Sequence, residues 1–165
     1  LDTAIYLYPT ATPKATAKPI AAGTKLKNKN ASYQVVSANP KQPTVTYVQN
    51  LKKTAASVTV PAQVKIGSVT YKVVAIGFKA FANNKKLKTL TIGKNITTIG
   101  KNAFAGCKKL KKITIKSTKL KSGTIGKNAF KGTAKNLVVK VPRKQYRAYK
   151  KFLKKKGNKK VKIKK

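Results

Sequence analysis

The hexapeptide Ile-Gly-Lys-Asn-Ala-Phe at residues 99–104 returns unchanged at 125–130, and a looser copy, Ile-Gly-Phe-Lys-Ala-Phe, occupies 76–81. The offsets are 23 and 26 residues. The flanks repeat as well: Leu-Lys-Thr-Leu-Thr-Ile at 87–92 aligns with Leu-Lys-Lys-Ile-Thr-Ile at 110–115, again 23 residues on. A fixed period in this range marks stacked units, none of which buries its own apolar face without a neighbour. The chain therefore reads as an α+β repeat solenoid.

Each unit contributes a short strand, expected at 90–92, 113–115 and 137–141, and a corner carrying Ala80-Phe81, Ala103-Phe104 or Ala129-Phe130. Stacked in register, the three Phe form a column inside the core. Burying a large apolar side chain is worth about 1.5–3 kcal/mol, so this column and its flanking Ile and Leu are the main stabilising element. Gly77, Gly100 and Gly126 each follow an Ile, where the chain turns tightly or approaches its neighbour. They lack the spacing and the following helix of a phosphate-binding loop.

Both ends of a stack need cover. Residues 23–75 read as an N-terminal β-hairpin cap: alternating runs at 32–36 and 44–48 flank an Asn-Pro-Lys-Gln-Pro turn, and a second hairpin joins 64–66 to 69–73 through Gly67-Ser68. The repeats occupy 76–141, with a short strand before them at 56–60 stopped by Pro61. Residues 142–165 break the period. Pro142, then Tyr146, Tyr149 and Leu153 at i, i+3 and i+7, predict a C-terminal amphipathic helix cap ended near Gly157, with a closing strand at 161–163. Residues 1–22, rich in Pro, Thr, Ala and Lys, read as a linker or the remnant of a preceding domain, with Ile5-Tyr6-Leu7-Tyr8 as a last strand of that domain. A chain that starts at Leu1 and contains no Met reads as a fragment.

These motifs resemble the BspA-like leucine-rich repeats, a bacterial type of 23 residues. Its pattern runs L-x-x-I-x-I, a variable turn, then I-G-x-x-A-F-x-x-C. Leu110, Ile113 and Ile115 match the first half; Ile99, Gly100, Ala103, Phe104 and Cys107 match the second. The likeness covers about residues 56–141. The third unit departs from it, with Thr133 in place of Cys and an insertion at 119–123. The hairpin-rich start and Lys-rich end also look like modules of secreted Gram-positive proteins. The resemblance implies a secreted or cell-surface location and an interaction role, often adhesion, with no catalytic residues.

Charge is the second constraint. Lys and Arg total 40 against one acid, for a formal charge of +39, and the acid is Asp2. There is no His and no Glu, so neither a catalytic triad nor a carboxylate pair can be assembled. Metal ligands are lacking too. The chain is expected to be no enzyme and to take no cofactor. Cys107, the one cysteine, reads as a buried thiol acting as a small hydrophobe. No apolar run approaches the ~20 residues of a membrane span.

Lysine density then becomes the functional feature. The runs Lys108-Lys109, Lys111-Lys112, Lys150-Lys151, Lys154-Lys155-Lys156 and Lys159-Lys160 are the candidate contacts for a polyanion. Only Arg143 and Arg147 offer guanidinium forks, so recognition would rest on charge density rather than bidentate geometry. Expected partners are anionic cell-wall or host polysaccharides: teichoic acids, sulfated mucin glycans, glycosaminoglycans. A host protein bound on the strand face, through Lys88, Thr91, Lys111 and Thr114, is a second reading. Nucleic acid would bind non-specifically in vitro. The scarcity of Arg and the absence of a nucleic-acid motif weigh against it as the role. A solvated surface whose composition drifted towards Lys is the plain alternative.

Overall fold

The computed structural model describes residues 17–165. Ile5–Tyr8, Asp2 and the linker up to residue 16 lie outside the described residues. Of the expected linker, 17–20 carry no regular structure, yet Pro19 is buried and the Ile20 N–H donates to the Tyr71 hydroxyl at 3.2 Å.

Two sheets make the fold. The first runs from β1 (Lys25–Lys27) to β2 (Ala31–Ser37), β3 (Thr44–Asn50), β6 (Val69–Ile76) and β5 (Gln63–Ile66), with the short β8 (Thr98–Ile99) also on β6. Both expected hairpins are present: β2 and β3 pair antiparallel, as do β5 and β6, the latter across Gly67 at φ +62°. The pairing of β3 with β6 is parallel, and so are β6 with β8 and the bridge from Ile99 to Ile125. The N-terminal hairpins thus run directly into the ladder on which the repeat corners stack.

The second sheet is wholly parallel: β4 (Ser57–Val60), β7 (Thr89–Ile92), β9 (Lys112–Ile115), β10 (Val138–Lys140) and β11 (Lys162–Lys164) follow one another in chain order. Val58, Leu90, Ile113, Val139 and Ile163 lie opposite one another across these strands and are buried. Between the sheets runs an aromatic column. Tyr47 stacks on Phe81 at 5.2 Å, Phe81 meets Phe104 at 5.7 Å, and Phe104 meets Phe130 at 5.7 Å. Tyr33 closes the N-terminal end, edge-on to Tyr47 at 5.4 Å. The column is therefore longer than the three Phe that the hexapeptide predicts.

A second, polar column runs beside it. Asn50 donates to Asn84 Oδ1 at 2.8 Å, and Asn84 donates to the Phe81 carbonyl at 2.7 Å. The Cys107 thiol donates to that same carbonyl, Thr133 to the Phe130 carbonyl, and Asn158 to Thr133 Oγ1. These side chains add a second bond to the Phe81 and Phe130 carbonyls, which already accept the backbone N–H of Asn84 and Thr133, and so find partners for their own buried polar atoms.

One helix, α1 (Tyr146–Leu153), occurs among the described residues, and it is only eight residues long. Tyr149 and Leu153 face inward as the i, i+3, i+7 stripe requires, while Tyr146 and Phe152 are half-buried. The expected α+β solenoid with a helical cap is thus better described as a leucine-rich-type repeat fold: a curled, mostly stranded structure with one short helix. Eight residues are too few to be stable alone, so α1 owes its existence to the packing of Tyr149 and Leu153. The Tyr149 hydroxyl donates to the Ser117 carbonyl at 2.8 Å and accepts the Leu120 N–H at 3.1 Å. That clamps the start of the third-repeat insertion, whose Ser122–Thr124 make a 3₁₀ turn.

Candidate functional site

In the parallel sheet the inward row is fixed by burial, so the alternate residues form the open face. Two rows cross it. One reads Ser57, Thr89, Lys112, Val138, Lys162; the other reads Thr59, Thr91, Thr114, Lys140, Lys164. Adjacent members of a row stand about 4.8 Å apart, the spacing of neighbouring strands. The face is hydroxyl-lined at its N-terminal end and lysine-lined at its C-terminal end.

At the lysine end the strands enclose a shallow concavity of about 520 Å³. Lys111, Lys112, Lys140, Lys164 and Lys165 surround it, with Val138 on its floor. No side-chain carboxylate occurs among the described residues to neutralise these ammonium groups. Lys165 lies 5.2 Å from the Tyr146 ring, a cation–π contact that ties this rim to α1.

The sequence-derived candidates are dispersed by the fold. Lys108 and Lys109 occupy the exposed turn before β9, and of the first four candidates only Lys111 and Lys112 reach the concavity. Lys150, Lys151, Lys154 and Lys155 are exposed on and just after α1, and Lys159 and Lys160 on the turn before β11. Lys156 is half-buried, its Nζ donating to the Ser122 carbonyl at 2.9 Å. Of the four residues expected on the strand face, Thr91 and Thr114 lie in its open rows. Lys88 and Lys111 each precede a strand by one residue. Lys140, Lys162, Lys164 and Lys165 were missed: Lys140 and Lys162 are isolated lysines, and the Lys164-Lys165 pair lies at the very end of the sequence, past the expected closing strand. Aligning Val139 and Ile163 with Ile113 would have placed the first three on the open face.

The remaining chemistry is sparse. Cys107 is fully buried, and removal from water pushes its thiol up to about 11, partly offset by the Asn84 backbone hydrogen bond. Such a thiol is a poor nucleophile. Burial likewise raises Tyr33, Tyr47 and Tyr149. No cluster of three His, Cys, Asp or Glu exists among the described residues, and none of their helices is long and apolar enough to cross a membrane.

The corner turns decide the lineage. Ile-Gly-x-x-Ala-Phe closes each turn with a left-handed residue at its fourth position, Lys79, Asn102 or Asn128, over a stacked Phe. The model of the BspA type leucine rich repeat region matches residues 58–165 in six copies. The chain belongs to the BspA-type leucine-rich repeat family. The match passes residue 141, where the period reads as broken in the sequence, and takes in β11, which continues the parallel ladder of the BspA-type repeats.

Among solved structures, the chain is similar to a leucine rich cell surface protein from Faecalibacterium prausnitzii. Identity is 25% and the TM-score 0.57, covering 74% of this chain and 38% of that one. It is also similar in fold to a leucine-rich repeat protein from Bacteroides capillosus, at 17% identity and a TM-score of 0.59, covering 86% and 99% of the two chains. This chain thus spans little more than a third of the Faecalibacterium protein. No curated protein matches it. Repeats of this family thus occur in a protein described as a cell surface protein, the Faecalibacterium one.

Proposed function

We propose that this chain is a non-catalytic binding module of a bacterial surface or secreted protein, and that it holds anionic polymers at the lysine end of its open sheet face. The observation that carries the reading is the row geometry. Lys140 and Lys164 are neighbours across β10 and β11 and share one concavity with Lys112, with no side-chain carboxylate among its lining residues, while Lys162 lies beside Val138 in the same row as Lys112. Ammonium groups spaced more closely than the Debye length of about 8 Å share one potential. A polymer carrying a charge on each unit neutralises several of them at once. Lysine is a hydrated point charge, so teichoic acids and sulfated glycans are both suitable ligands, and the attraction falls steeply with salt. The hydroxyl-lined half of the face supports a second reading, a specific protein partner, because Thr59, Thr91 and Thr114 give it a neutral, hydrogen-bonding surface.

The test is binding to purified cell walls, with and without their teichoic acids, across a salt series. Replacing Lys112, Lys140, Lys162 and Lys164 together by Gln should abolish most teichoic-acid-dependent retention. Replacing Lys150, Lys151, Lys154 and Lys155, an equal loss of charge, should leave most of it. Equal losses would mean that total charge, and not this face, does the binding. Salt-insensitive retention would favour the protein partner.

A further inference from the structure

The two ends of the parallel sheet are built differently. The C-terminal edge, β11, reads Lys162-Ile163-Lys164 and is followed by Lys165, and charged side chains along an edge are a standard guard against strand addition. The N-terminal edge, β4, reads Ser57-Val58-Thr59-Val60, and residues 54–64 contain no lysine at all. Among the described residues β4 pairs on one side only, with β7. The carbonyls of Ala56 and Val60 accept bonds from the β7 side. Backbone groups alternate sides along a parallel strand, so the N–H and C=O of Ser57 and Thr59 point outward. Pro61 ends the donor row.

That outward edge borders a concavity of about 480 Å³, lined by Ser57, Thr59 and Pro61 on one side and by Asn28 and Asn30 of the β1–β2 turn on another. Asn30 Oδ1 is buried there and accepts no hydrogen bond. Buried acceptors are rarely left so. Lys52 and Lys65 also line the concavity. Unpaired edge groups, a buried acceptor and flanking cations call for an extended strand with acidic residues.

We propose that the β4 edge captures an extended, acidic peptide segment of another protein by strand addition, with Ser57 and Thr59 supplying the backbone pairing. A second copy of this chain is a poor occupant: two molecules at +39 repel, and the strand it would offer, β11, is itself lysine-lined. The inference is independent of the polymer-binding reading, since no lysine of the open face takes part.

The experiment uses two synthetic peptides of equal charge, EETVTVTEE and its proline analogue EETPTPTEE, which cannot complete a ladder. By fluorescence anisotropy at physiological salt the first should bind about ten-fold more tightly than the second. Thr59→Pro removes an outward N–H without touching the β4–β7 bonds and should erase the difference, whereas Thr59→Val should keep it. Thermal unfolding and β7 amide protection confirm that each variant is folded. Amide exchange in the intact chain should slow at Ser57 and Thr59 when EETVTVTEE is added. Equal binding of the two peptides, or slowed amides elsewhere, would overturn the proposal. So would Ser57 and Thr59 amides already protected without peptide, because the edge would then be filled by this chain or a second copy of it.

Discussion

Phe104 sits between Phe81 and Phe130, its ring 5.7 Å from each, and it is fully buried. Phe104→Ala should therefore cost about 3–5 kcal/mol, by lost transfer energy and a cavity that neighbours on both sides cannot fill; urea unfolding measures it. Gly100 is held to glycine by its surroundings: a Cβ there would lie 2.6 Å from the Gly77 carbonyl carbon and the Phe78 nitrogen, so Gly100→Ala should also destabilise. The repeat motif exposes both residues in the sequence because it copies them. Lys79 is a mismatch of the same kind. It holds φ +54° where the other two repeats place Asn102 and Asn128, and Asn tolerates that region better. Lys79→Asn should stabilise by up to about 1 kcal/mol, read as a rise in the urea midpoint at constant slope. Cys107 adds a pH dependence of defined sign. Its folded thiol titrates near 11, above its ordinary 9.0, so the unfolded state loses the proton first. The contribution is intact below pH 9 and disappears as pH rises through 11, up to about 2–3 kcal/mol. Against Cys107→Thr, the choice the chain itself makes at Thr133, the stability difference should shift against the wild type between those two pH values.

Elements were legible to the extent that they repeat. The strands at Leu90, Ile113 and Val139 follow from the 23- and 26-residue offsets, and the two hairpins from alternation and turn residues. Less visible was that β4 and β11 join the same parallel ladder, because neither carries the Leu-Lys-x-Leu/Ile-Thr-Ile flank that marks β7 and β9. The parallel pairing of β3 with β6 was hidden for another reason: local alternation reports which face is buried, not which distant strand lies alongside. The polar column was hidden as well, since Asn50 and Asn158 occur outside the hexapeptide copies and their flanks and resemble ordinary turn residues. The insertion at 119–123 looked like a fault in the third unit, whereas the structure gives it a partner in Tyr149. Tyr149→Phe leaves the buried ring and removes the hydroxyl that binds both Ser117 and Leu120. A loss of about 1–3 kcal/mol is expected. Hydrogen exchange should quicken around Leu120 before it does in β9.

At the scale of the molecule, a charge of +39 with no side-chain carboxylate among the described residues means that ion pairing between side chains adds nothing to their stability. Surface pairs contribute little in ordinary proteins, so their absence is tolerable; the net repulsion is the larger effect. It is strongest where folding brings lysines onto adjacent strands about 4.8 Å apart, as with Lys140 and Lys164. The unfolded chain holds those residues far apart in space for most of the time. Folding at low salt therefore works against a repulsion that the buried aromatic column must exceed. Tm should rise with NaCl until the Debye length falls below the spacing of the open-face lysines, then level off. The variant with Lys112, Lys140, Lys162 and Lys164 replaced by Gln should start from a higher Tm at low salt and climb less. If both proteins climb equally, the repulsion is spread over the whole surface and the open face is no special focus of potential. If the variant's slope is clearly shallower, the lysine end of the sheet is where this chain stores its unfavourable charge, and a bound polyanion should stabilise the fold as well as hold the ligand.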